Sequence, residues 1–130
     1  MLDLTFAEFY AAQYDDSHDV GVYVVKNGTP LYVGMSTSNV WNRWFYGTFR
    51  SHLEQDGTGQ WFGYTPIGRK IAGNMPASWE WRIELWRVED CVSFFASELE
   101  RLGFVPERVG VRAAEQLLMK HYQPTLNRQA

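Results

Sequence analysis

The chain has 130 residues, which at roughly 100–200 residues per domain predicts one globular unit. Hydrophobic residues make up 45% and charged residues 21%, ordinary globular proportions that exclude a disordered chain. A single cysteine excludes an internal disulfide, three scattered histidines offer no zinc-type cluster, and a net charge of -3 argues against gripping nucleic acid by bulk electrostatics alone.

Thr5 and Glu8 have capping-box spacing, and Phe6, Phe9 and Tyr10 recur at helical intervals, which predicts a helix over residues 5–14. Residues 1–25 carry -5 and the remainder +2, so residues 1–19 read as an acidic helical extension ahead of a domain over 20–130, the whole forming one compact unit. Two β-branched and aromatic runs then flank Asn27-Gly28, a strong β-hairpin signal. Val40, Trp41, Trp44 and Phe45 predict a helix over 39–50 packed on that hairpin. Residues 51–78 hold seven glycines and prolines and read as a loop region.

In residues 79–85, Trp79, Trp81, Ile83 and Leu85 alternate with Glu80, Arg82 and Glu84, the pattern of a strand covered on one face. Phe94, Phe95, Leu99 and Leu102 predict a helix stopped by Gly103, and Val111 to Tyr122 predicts a last helix stopped before Pro124. The expected fold is α+β: a small, mostly antiparallel sheet starting with a β-hairpin and flanked by helices. No window approaches the ~18 apolar residues of a membrane span, so a soluble cytoplasmic protein with no membrane contact is expected.

The last helix places Glu115 on or beside the apolar face formed by Val111, Leu118 and Tyr122, where a carboxylate needs a reason. Gly21-Val22-Tyr23 lies in the first hairpin strand, Tyr32-Val33-Gly34 ends the second, and Arg43 follows on the next helix. Pro124, Leu126 and Asn127 close the chain. This ordered set, covering residues 20–127, resembles the GIY-YIG nuclease superfamily. Two departures accompany it: the gap from Gly34 to Arg43 is slightly long, and Gly47 stands where the family often has a histidine or aromatic. Tyr46 or His52 is the expected substitute.

The resemblance implies a metal-dependent endonuclease that hydrolyses phosphodiesters, in DNA ahead of RNA, leaving 5′-phosphate and 3′-hydroxyl ends. Its implied catalytic residues are Tyr23, Tyr32, Arg43, Glu115 and Asn127, with Glu115 holding Mg²⁺ or Mn²⁺ largely through water. A single protein ligand suits magnesium, which keeps several waters. Arg43 offers a permanently charged fork for phosphate, one phenol activates water, and Asn127 ties the last segment beside the metal site. Arg50, Arg69 and Lys70, interleaved with Phe49, Trp61, Phe62 and Tyr64, are expected to track nucleic acid. The alternative is an inactive module of this fold that binds nucleic acid or protein, with a protein partner supplying targeting. Cys91 and His121 are assigned no chemistry, and the tryptophans share helical or strand spacing that favours burial over sugar stacking.

Overall fold

The computed structural model describes residues 1–13, 21–46 and 52–129. Its first element is a strand the sequence pattern does not announce, β1 (Leu2–Thr5). Thr5 then caps α1 (Phe6–Ala12): its hydroxyl accepts from the Glu8 N–H while the Glu8 carboxylate accepts from the Thr5 N–H, completing the expected capping box. Phe6 and Phe9 face inward and are fully buried, each contributing about 1.5–3 kcal/mol by leaving water.

The hairpin forms as expected from β2 (Gly21–Asn27) and β3 (Thr29–Ser36), with Gly28 at φ 74° making the reversal. With β6 (Arg82–Trp86) they complete a four-stranded antiparallel sheet in the order β1-β6-β2-β3. The sheet therefore starts with β1 at one edge, not with the hairpin. Leu2 pairs with Leu85, and Tyr23 lies between Gly34 and Leu85.

Both faces of this sheet are covered. Tyr23, Val25, Ile83 and Leu85 point into a core with Phe6, Phe9, Trp41 and Trp44, whereas Val22, Val24, Val33 and Trp86 pack against Cys91, Leu99, Ala114 and Leu118. The expectation of a β6 covered on one face fails for this reason. Glu84, on its supposed polar face, is 2% exposed and accepts from Lys26 Nζ at 2.5 Å, Trp86 Nε1 at 3.0 Å and the Tyr122 hydroxyl at 2.8 Å. Residues 79–80 belong to a 3₁₀ turn, Ala77–Glu80, that precedes the strand.

Residues 52–78 are more ordered than their breakers imply. They form a two-stranded ribbon of β4 (Leu53–Gln55) and β5 (Trp61–Gly63), followed by α2 (Pro66–Gly73) with Thr65 as its N-cap. Gly63 and Gly68 are close-approach positions: a Cβ on Gly63 would sit 2.1 Å from the Gly68 carbonyl carbon, and one on Gly68 would sit 2.0 Å from the His52 oxygen. Ribbon and helix meet backbone to backbone there, which only glycine permits.

On the opposite face, α3 (Val88–Phe94), α4 (Ala96–Arg101) and α5 (Val111–Tyr122) supply the cover, with Gly103 just beyond α4 and α5 spanning the expected residues. The fold is thus α+β, a small antiparallel sheet with flanking helices. Among the described residues, no helix is long and apolar enough to cross a membrane.

Candidate functional site

The edge strand β3 gathers the residues singled out by sequence. Tyr23 on β2 and Tyr32 on β3 point to the same face, their rings stacked with centroids 6.2 Å apart and planes at 29°. Tyr23 can reach along the sheet because its cross-strand neighbour is Gly34: a Cβ there would lie 2.5 Å from the Tyr23 hydroxyl. The glycine ending the second tripeptide is therefore a platform under the first tyrosine.

Arg43 comes from a helical segment that opens at Val40 and Trp41 and widens into a π-helical turn over Asn42–Tyr46. Trp41, Trp44 and Phe45 are buried, which anchors the turn and leaves Arg43 half-buried at its side. Single π turns re-aim side chains relative to an α-helix and are frequent at functional sites. Arg43 hydrogen-bonds the Tyr23 phenol, and its charge acts on Tyr23, Tyr32 and His52.

His52, one of the two candidate substitutes, lies against Tyr23. It is fully buried, with Nε2 2.8 Å from the Tyr23 hydroxyl, Nδ1 2.6 Å from Thr65 Oγ1, and its ring 4.2 Å from that of Trp44. The Tyr46 side chain and Arg50 lie outside what is described.

Glu115 is half-buried in the middle of α5, and its negative charge reaches both phenols. Asn127 lies in the 3₁₀ turn Thr125–Gln129 that follows α5. Its side-chain amide pairs with one residue of β3: Oδ1 accepts from the Val33 N–H and Nδ2 donates to the Val33 carbonyl, both at 2.8 Å. A free strand edge exposes unpaired backbone groups; here Asn127 caps that edge one residue from Tyr32 and draws the end of α5 toward it. Arg69 and Lys70 lie apart from this cluster, exposed on α2.

Burial dominates the ionisation of the cluster. It holds the Tyr23 phenol well above 10, with Tyr32 adding to the rise and Arg43 opposing it. Burial also raises Tyr32, again against Arg43. His52 is pushed down to about 3 by burial first and the Arg43 charge second. Partial burial raises the Glu115 carboxyl, opposed by Arg112. At neutral pH, Tyr23 and His52 are therefore a neutral pair. Cys91, buried on the other face, has its thiol pushed up to about 12 by burial and then by the Asp90 charge, so it is no nucleophile.

The depressed His52 value carries a stability prediction. Below about 6.5 the unfolded chain takes up a proton that the folded chain refuses until about 3, so this contribution is present near neutrality and drains as pH falls through that window. At about 1.4 kcal/mol per unit, the loss between pH 7 and pH 4 is about 3 kcal/mol. Urea denaturation at the two pH values should show it, and His52→Asn should flatten the dependence. An unchanged slope in the variant would assign the acid sensitivity to carboxylates instead.

Among the described residues, no group of three or more His, Cys, Asp or Glu side chains is placed to hold a metal. Among the described residues, the carboxylate whose charge acts on both phenols is the half-buried Glu115, raised first by burial; a single carboxylate is a donor set that only a largely hydrated divalent cation would accept. Thr65 is the residue that sequence reasoning missed. Its signal was present in Thr65-Pro66, an N-cap followed by proline in the first turn of a helix. No family model, no curated protein and no solved structure matches the chain.

Proposed function

We propose that this chain is a GIY-YIG-type endonuclease that hydrolyses phosphodiesters in nucleic acid, DNA ahead of RNA. The observation that supports it most is convergence. Two stacked phenols, an arginine bonded to one of them and a carboxylate whose charge acts on both come from four separate segments of the chain.

In this reading, Arg43 neutralises charge growing on the non-bridging oxygens. Tyr32, the half-buried phenol, meets the attacking water, while Tyr23, 1% exposed, holds Arg43 from behind. The water oxygen bonds to phosphorus as the bond to the 3′ oxygen breaks, and the leaving oxygen takes a proton. A divalent cation at Glu115, Mg²⁺ or Mn²⁺, would supply Lewis-acid stabilisation of the leaving oxygen. Arg69 and Lys70 extend a basic track on α2 for the backbone of the bound strand.

Supercoiled plasmid incubated with the protein and Mg²⁺ or Mn²⁺ should be nicked, and EDTA should stop the reaction. One observation favours a second reading, a binding module without turnover: the burial of Tyr23 and His52 is what a scaffold would also show. Retention of DNA at low salt with no cleavage under either metal would establish the module and end the nuclease reading.

A further inference from the structure

His52 joins two hydrogen bonds that the proposed chemistry does not by itself require, one to Tyr23 and one to Thr65. Thr65 Oγ1 is already in use, accepting the Gly68 N–H at 3.1 Å as the N-cap of α2. The direction of the two imidazole bonds follows from burial. Tyr23 is 1% exposed, so its hydroxyl proton must go to a protein acceptor. Arg43 on the same oxygen can only donate. His52 Nε2 is the acceptor that remains, which places the single proton of the neutral imidazole on Nδ1 and aims it at Thr65. Thr65 is half-exposed, so its own hydroxyl proton can reach water.

We infer that Thr65 is a positioning residue: by accepting the Nδ1–H of His52 it selects the tautomer whose Nε2 takes the Tyr23 hydroxyl proton, which leaves the phenol oxygen's lone pairs facing Arg43 and so holds the guanidinium in place. The opposite tautomer would point Nε2–H at the phenol oxygen and turn the phenol proton toward Arg43, donor against donor. Thr65 also begins the helix that carries Arg69 and Lys70, so the exposed basic track and the end of this relay share one rigid element. The role of Arg43 toward phosphate rests on the nuclease reading; the relay itself does not.

The test separates the two. In full-length protein labelled with ¹⁵N-histidine, with His52 identified by its loss in His52→Asn, Nδ1 should give a pyrrole-type signal and Nε2 a pyridine-type signal. Thr65→Ser should preserve this pattern. Thr65→Val should mix or reverse it and expose the Arg43 guanidinium N–H signals to faster solvent exchange. Cleavage by Thr65→Val should fall roughly 10–100-fold, the range seen for outer-shell partners, mainly in kcat, with Thr65→Ser close to the parent. A protonated Nε2 in the parent protein overturns the inference whatever the activity. So does a Thr65→Val protein with unchanged Arg43 exchange. An inactive parent with the expected tautomer and Arg43 protection would remove the nuclease reading and leave the relay standing.

Discussion

Glu115→Ala is expected to lower metal-dependent cleavage by on the order of a thousandfold or more, the scale on which electrostatic stabilisation of a transition state operates. The same variant should be as stable as the parent, or slightly more so. Glu115 is half-buried on a helix flank, and burial already raises its pKa, so folding gains nothing from its charge. A group that the fold tolerates but chemistry needs gives this combination of lost activity and kept stability. Arg43→Ala should match it in activity, and Arg43→Lys should recover little, because an ammonium lacks the planar fork. Plasmid nicking alongside urea denaturation gives the two readouts. Full cleavage by Glu115→Ala would remove the metal site from α5 and with it the proposed mechanism.

Glu84→Ala is expected to do the reverse, costing about 3 kcal/mol of stability with little effect on the chemistry of molecules that remain folded. Here the carboxylate is enclosed on the face opposite the tyrosines and holds Lys26, Trp86 and Tyr122. Removing one partner of a buried ion pair costs about 3–5 kcal/mol. The lower end applies because the Lys26 side chain is 26% exposed and its ammonium can turn to water. The buried Trp86 N–H has no such escape. Replacing both members together, Lys26→Met with Glu84→Leu, should restore only part of the loss: the apolar pair fills the same space, but the buried Trp86 N–H still lacks its acceptor. A loss below about 1 kcal/mol for Glu84→Ala would show that the network contributes no more than an exposed pair.

The two glutamates show where sequence pattern ends. Glu84 falls in strict alternation with Ile83 and Leu85 and so reads as solvent-facing, because period two reports which residues share a face and not whether that face is covered. The cover comes from α5, whose Tyr122 lies 38 residues further on. Glu115 fails its helical pattern in the other direction, as a charge beside an apolar stripe, and that misfit was legible. A residue that violates its local pattern announces itself, whereas one that obeys the pattern and is then enclosed does not.

What sequence by itself determined is everything set within a few residues. The Thr5–Glu8 capping box, the Asn27-Gly28 reversal and the bounds of α5 each rest on contacts between near neighbours in the chain, so residue type and spacing suffice. The order Tyr23, Tyr32, Arg43, Glu115, Asn127 was also readable, although not the distances between them. Only the tertiary structure decided that β1 pairs with β6 some eighty residues away, and that Gly63 and Gly68 are packing positions instead of breakers. It alone brought Asn127 to the edge of β3, and set His52 between Tyr23 and Thr65. Those contacts join distant segments, and their free energy comes from burial and hydrogen bonds that exist only once the sheet and its two covering layers have closed.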